Sequence, residues 1–437
     1  MKGRRKGGRR RMSAGTVFML GLLAVTLCGS ALVLGRLSSG ASINLNRKNV
    51  DVIELQDDPS RETTEETKAT AQTAETARVT APPVYDVTPV PQEQENSYTL
   101  TIGGSITLSG EVRKNSWNAD SKVTDYADVM MLLAPRIDAD VNAVFMENIL
   151  SDKHKANDNT APASASGLLK EAGFGIAACG FSQSYANGKD GVEETLNTLN
   201  DRGIKALGIR YADEESAPLI TNAGGIKTAF LQYTATISAK TRKAMVKEET
   251  SGMVPEADLT QISADIAAAR EQGAEAVIVL MNWGKNGKEP DRTQKELAAG
   301  IAQAGADLIV GNGSHIPQAA EYITGKDGSS VLCVWSLGTL PGGDRGNIKH
   351  VSGYLLHVTV RSDGKGGALI LGPEYTPVYT WKYKQDGRYY YRCIASNGSA
   401  PDGMDNDQRK KMNQSAETVQ SILKNSPMTI RGQENAD

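Results

Sequence analysis

The sequence predicts an α/β domain with a two-sheet core flanked by helices (αββα), preceded by one transmembrane helix. Three observations predict it. Between Ala274 and Leu340 two apolar runs, Ala276–Met281 and Ala306–Val310, each end in a short Gly/Asn-rich turn. They enclose a helical pattern over Gln294–Ala304, which makes one βαβ unit. The chain also holds more strand-like runs than one parallel sheet needs. Finally, Met12–Gly35 is a run of 24 residues without a charge. As a helix at about 1.5 Å per residue it reaches about 36 Å, enough for a hydrocarbon core of about 30 Å.

In chain order, residues 1–11 form a basic segment with seven Lys/Arg and no acid. That favours a cytoplasmic N-terminus for an anchor over 12–35. A cleaved signal peptide is the rival reading, but its apolar region is nearer 7–15 residues. Residues 36–97 are rich in Thr, Glu and Pro and too poor in apolar residues to build a core, so they are expected to be a disordered linker. The main domain is expected over 98–395, followed by a C-terminal helix and tail over 396–437. The anchor places this domain outside the cell membrane.

Within the domain, Tyr98–Ile102 reads as a strand, a turn at Gly103-Gly104-Ser105, then Ile106–Leu108. Ala127–Leu133 reads as a helix and Ala143–Met146 as a strand ending at Glu147. Ser166–Ala172 reads as a helix closed by Gly173. Strand Gly175–Cys179, a polar loop over 180–190, and helix Val192–Asp201 follow. Then come strands Ala206–Ile209 and Thr228–Tyr233, and an amphipathic helix Leu259–Ala269. After the βαβ unit, Val331–Trp335, Tyr354–Val360 and Ala368–Leu371 read as strands. Thr376–Tyr383 and Tyr389–Ile394 form a hairpin around Gln385-Asp386-Gly387, and Gln408–Leu423 a final helix.

Composition excludes several classes. The formal net charge is −3. The 48 Lys/Arg less the seven of the N-terminal segment leave 41 against 51 Asp/Glu, so nucleic acid is not an expected partner. Four Cys without a CxxC pair exclude a zinc knuckle or a redox motif. The sequence leaves open a disulfide among Cys179, Cys333 and Cys393.

The loops after the βαβ strands, Asn282-Trp283-Gly284 and Gly311–His315, lie where open α/β sheets bind ligands. Here the sequence resembles the CapA family of poly-γ-glutamate capsule-synthesis proteins over roughly Tyr98–Ile394. Gly104-Ser105 stands where that family has Gly-Asp, and Phe145-Met146-Glu147 where it has Asn-Leu-Glu. Phe181-Ser182-Gln183, Gly188, Gly191 and Thr195-Leu196 stand in the register of its Ala-Asn-Asn-His and Asp-x-Gly-x-x-Gly segments. Asn282-Trp283-Gly284-Lys285-Asn286 matches His-Trp-Gly-x-Glu, Gly311–Gln318 matches Gly-x-His-Pro-His-x-x-Gln, and Ser336–Leu340 matches Ser-Leu-Gly-Asn-Phe.

The resemblance implies a calcineurin-like metallophosphatase-type core and a metal-binding cleft. The scaffold positions match, but the metal positions are mostly replaced, by Ser105, Ser182-Gln183, Asn282 and Gly313. No cofactor is therefore expected: neutral amide and hydroxyl oxygens replace the carboxylates and imidazoles of a two-metal centre. Glu147 and His315 remain as an acid/base pair. Ser105, Ser182, Gln183, Asn282, Trp283, Asn286, Asn312, Gly313 and Thr339 are expected to line the cleft by family position. Lys240, Arg242 and Lys243, in a loop before the Leu259 helix, and Lys285 and Lys288 are candidates to hold an anionic polymer. The expected role is a membrane-anchored, extracellular, non-catalytic component of envelope-polymer synthesis, export or anchoring, partnered by that polymer and its membrane enzymes. The alternative is a hydrolase or transferase with a reduced site using Glu147 and His315.

Overall fold

The structure, a computed structural model, describes residues 96–118, 123–343 and 345–432. They fall in a compact unit spanning Thr88–Asp437. The basic segment, the anchor and nearly all of the linker lie outside the described residues. Among the described residues no helix is long and apolar enough to cross a membrane.

The main strands are β1 (Ser97–Ile106), β2 (Val141–Met146), β3 (Ile176–Ala178), β4 (Lys205–Leu207), β5 (Leu219–Ala223), β6 (Ile226–Thr234) and β7 (Ala276–Asn282). They continue as β8 (Leu308–Asn312), β9 (Ala320–Thr324), β10 (Ser330–Val334), β11 (Ser352–Ser362), β12 (Ala368–Gln385), β13 (Arg388–Ala395) and β14 (Thr429–Ile430). One sheet has the order β13-β12-β11-β1-β2-β3-β4, with β14 beside β12; the other has the order β9-β10-β8-β7-β6-β5. Besides short helical turns, the helices are α1 (Ser166–Ala172), α2 (Gly188–Asp201), α3 (Ala239–Lys247), α4 (Leu259–Glu271), α5 (Arg292–Ala304) and α6 (Asn406–Leu423).

Side-chain alternation explains why the sheets stack. In β7, Ala276, Ile278 and Leu280 face the inter-sheet core, where they join Leu100 and Ile102 of β1 and Phe145 of β2. Their neighbours Val277, Val279 and Met281 face outward and are covered by Ile262 and Ile266 of α4 and Ile301 of α5. On the far side, Val144 and Met146 of β2 lie under Leu168 of α1 and Val192 of α2. Two sheets with a helical layer on each outer face make the αββα arrangement. Helix entry follows local chemistry: Asp291 and Gln294 form a capping box at the start of α5, and Asp405 and Gln408 do the same for α6. Helix α6 puts Val419 and Leu423 into the inter-sheet core, so it belongs to this packing unit.

Several sequence expectations are corrected. Gly103-Gly104-Ser105 is no turn but part of a continuous β1 with a bulge between Gly103 and Ser105. The glycines serve close approach: a Cβ on Gly104 would stand 2.4 Å from the carbonyl oxygen of Gly338. Lys240, Arg242 and Lys243 lie on helix α3, not in a loop. Ser238 caps that helix by accepting the Thr241 N–H, and its one fully buried side chain, Met245, is too little to show a helical period in the sequence. Ala368–Leu371 and Thr376–Tyr383 are one strand, because an irregularity opposite His357 and Thr359 absorbs Gly372-Pro373. Edge strands β5 and β9 carry polar residues and no clear alternation, which hid them from sequence reading. Cys179, Cys333 and Cys393 are free, buried thiols; Cys333 packs against the helices over the second sheet and the other two on the far layer.

Candidate functional site

The ends of β2, β7 and β8 converge beside Ser105, near the end of β1. Glu147 follows directly on β2 and is 6% exposed. Its Oε1 accepts from Ser105 Oγ at 2.6 Å and from Asn282 Nδ2 at 3.1 Å. Its Oε2 pairs with His315 Nε2 at 2.7 Å. The chain of bonds continues outward. Asn312 Nδ2 donates to Ser105 Oγ at 2.6 Å, Ser336 Oγ donates to Asn312 Oδ1 at 2.9 Å, and Thr236 Oγ1 donates to Asn282 Oδ1 at 3.1 Å.

This arrangement sets the charges. Burial alone would push the Glu147 carboxyl up, but the neighbouring His315 and the donors Ser105 and Asn282 outweigh it and hold it below the usual range. The Glu147 charge pushes His315 up, against the opposing effect of burial. The pair is therefore a carboxylate and an imidazolium over the window between their ordinary values. His315 is half-buried and holds a left-handed backbone, φ 56°. Such a conformation is uncommon for a non-glycine residue and is met at sites the surroundings over-determine.

Around the pair the wall is rigid. Trp283 is buried and donates Nε1–H to the Trp335 carbonyl at 3.0 Å. A Cβ on Gly311 would meet that nitrogen at 2.1 Å, so this position admits only glycine. Gly313 carries φ 107° and lies against the Trp283 backbone. Thr339 bridges to Ser105 through the backbone, but its hydroxyl is committed to the His350 carbonyl at 3.0 Å.

Not every expected residue joins this cluster. Ser182 and Gln183 stand in the turn between β3 and α2; Gln183 is exposed, and the hydrogen bonds of the cluster do not reach either. Asn286 is exposed on the loop after β7, whose Gly287 N–H donates to the Ser314 carbonyl. Of the basic candidates, Arg242 pairs with Glu256, and Lys285 lies 3.4 Å from Asp291. Lys240, Lys243 and Lys288 are exposed. Thr236, which orients the Asn282 amide, was not anticipated, and no motif in the sequence marks it.

The residues present do not fit a two-metal centre. The cluster has one carboxylate and one imidazole, and both Glu147 oxygens already accept from protein donors. Among the described residues no group of three or more His, Cys, Asp or Glu is placed to hold a metal ion. What the arrangement offers chemically is a half-exposed imidazolium backed by a buried carboxylate.

Residues 99–340 match the family model of the bacterial capsule synthesis protein PGA_cap. That span holds every member of the Glu147 cluster. The capsule biosynthesis protein CapA of Bacillus anthracis is 25% identical over 246 residues, covering 53% of this chain and 58% of that one. The PGA biosynthesis protein CapA of Bacillus subtilis (strain 168) is 27% identical over 161 residues, 36% of this chain and 41% of that one. The chain thus spans about half the length of the curated relatives it matches. Among solved structures, Haemophilus influenzae NAD nucleotidase (NadN) superposes with a TM-score of 0.41 at 12% identity, over 77% of this chain and 57% of that one. The calcineurin-like phosphoesterase YfkN from Bacillus subtilis superposes with a TM-score of 0.37 at 10% identity, over 76% and 99%.

Proposed function

The chain belongs to the bacterial capsule synthesis protein family PGA_cap, and from that membership we propose that it serves the synthesis, export or anchoring of an anionic envelope polymer of the poly-γ-glutamate type. In this reading it is a polymer-binding or scaffold component without a resident metal. It is held at the cell membrane by residues 12–35 with its domain outside, beside the membrane enzymes that make the polymer. The observation that supports the non-catalytic part is that both oxygens of the buried Glu147 carboxylate are engaged by protein donors, Oε1 by Ser105 and Asn282 and Oε2 by His315. Exposed Lys240, Lys243 and Lys288 supply positive charge on an otherwise acidic domain. The test is sedimentation or calorimetric binding of poly-γ-glutamate to the purified full-length chain at two salt concentrations. Saturable binding that weakens with salt and in the triple variant Lys240→Gln, Lys243→Gln, Lys288→Gln is expected. No binding at low salt overturns the reading.

A second reading rests on the left-handed backbone and half-exposure of His315. Its imidazolium, oriented by Glu147, would protonate the leaving nitrogen of a bound polymer amide while a solvent water adds to the carbonyl carbon, giving a carboxylic acid and an amine. It predicts chain shortening of the polymer by the unaltered protein and none by a folded His315→Ala variant. An unchanged polymer length distribution after prolonged incubation rules it out.

A further inference from the structure

A cavity of about 470 Å³ opens where the loop after β4 passes over β6 and α4. Its size suits a small ligand. It lies at the edges of the two sheets, and its floor is apolar, formed by Leu207, Leu219 and Leu231. The polar lining has both signs of charge: the Arg210 guanidinium and the carboxylates of Glu214, Glu215 and Asp265, of which Asp265 and Glu214 act on Arg210.

These groups are not equally committed. Asp265 is 8% exposed and accepts from Tyr233 Oη at 2.7 Å, Gln261 Nε2 at 2.8 Å and Ser216 Oγ at 3.3 Å. It is an internally answered carboxylate that fixes the wall. Arg210 is the opposite case. Its Nε is buried and has no hydrogen-bond partner. Its Nη2 rests 2.7 Å from where a Cβ on Gly252 would stand, so the guanidinium lies in a cradle that any side chain there would fill. The loop is tied down beside it by Arg210 N–H to the Met253 carbonyl at 3.0 Å. The half-buried guanidinium thus keeps one donor, Nε–H, that no protein group answers, although the Asp265 and Glu214 carboxylates act on its charge.

The ligand class follows from the charge pattern. A plain anion would meet three carboxylates against one guanidinium. A plain cation would leave Arg210 facing like charge. A zwitterion satisfies both ends, with its carboxylate on the Arg210 fork and its ammonium at the exposed Glu214–Glu215 rim. We propose that this cavity binds a small zwitterion of the α-amino-acid class, at a site separate from the Glu147 cluster. The proposal stands apart from the polymer-binding role, since neither the Glu147 network nor the exposed lysines enter it.

Calorimetric titration of the purified full-length chain with glutamate, alanine, glutarate and butylamine tests it. Glutamate or alanine is expected to bind saturably. Glutarate, which lacks the ammonium, and butylamine, which lacks the carboxylate, are expected to bind about tenfold or more weakly, as is the amino acid to Arg210→Met. No saturable heat with either amino acid, equal affinity for glutarate, or undiminished affinity in a folded Arg210→Met overturns it. If that variant does not fold, the comparison of ligands on the unaltered chain decides alone.

Discussion

His315 and His357 sit in one domain with opposite neighbours. His315 faces the buried Glu147 carboxylate, which pushes its imidazole up. His357 is buried on β11, and burial, reinforced by the nearby Arg431, pushes it down to about 3. Its tautomer follows from donor chemistry. Arg431 Nη1 lies 2.8 Å from Nδ1 and can only donate, so Nδ1 accepts and the proton sits on Nε2, which donates to Thr376 Oγ1 at 3.0 Å. Thr101 Oγ1 lies 2.9 Å from the same Nδ1, whose single lone pair it shares with Arg431. One histidine is thus a charged, half-buried group beside a buried carboxylate, the other a neutral strut between strands and C-terminal segment. The same residue type reads as functional or structural according to the charge beside it.

The comparison breaks most sharply at Glu147. Replacing it by Ala leaves the His315 imidazolium, the Asn282 amide and the Ser105 hydroxyl without their acceptor. Denaturant unfolding should show a loss of about 3–5 kcal/mol, the range for removing one partner of a buried pair. In the same variant the His315 imidazole should titrate below its present value, read by histidine NMR. A smaller effect is expected at His357→Leu. The hydroxyl of Thr101 and the Arg431 guanidinium lose their acceptor, at a cost of about 1–3 kcal/mol by the same unfolding measurement.

The finest prediction concerns pH. His315 has its folded value raised above the ordinary 6.5, so its contribution is full below 6.5 and is lost as pH rises through the folded value. His357 has its folded value lowered, so its contribution is full above 6.5 and is lost as pH falls from 6.5 toward about 3. Glu147, held below its ordinary 4.5, adds a further acid-side loss below that value. Stability against pH should therefore fall on both sides of a region near 6.5. His315→Gln should flatten the alkaline limb and, because His315 is what chiefly holds Glu147 down, also shrink the loss below 4.5, whereas His357→Gln should leave the alkaline limb intact and flatten the limb between 6.5 and about 3. An alkaline limb unchanged in His315→Gln, or flattened in His357→Gln, would mean that the two environments have been assigned wrongly.

Much of the architecture was legible because the apolar patterns were strong. The unbroken run Ala276–Met281 marks a strand buried on both faces, and Gly173 and Gly305 close helices α1 and α5 in left-handed conformation. What stayed hidden had weak local signals. Helix α3 has few apolar positions, and edge strands β5 and β9 lack clear alternation. At the site, Glu147 and His315 were legible only through family positions, and they do meet at 2.7 Å. The bond from Asn312 to Ser105 joins residues 207 apart in sequence and depends on how the two sheets meet, which no local pattern carries. Ser182 and Gln183, expected at the site by family register, lie on a turn that leaves them off the Glu147 network.

The central claim is that the Glu147 cluster answers its own hydrogen bonds and holds no metal pair. Elemental analysis of the full-length chain, purified without chelator and dialysed against manganese, zinc or iron, tests it most directly. The account predicts well under one ion per chain for each metal. Two tightly held ions per chain would contradict it.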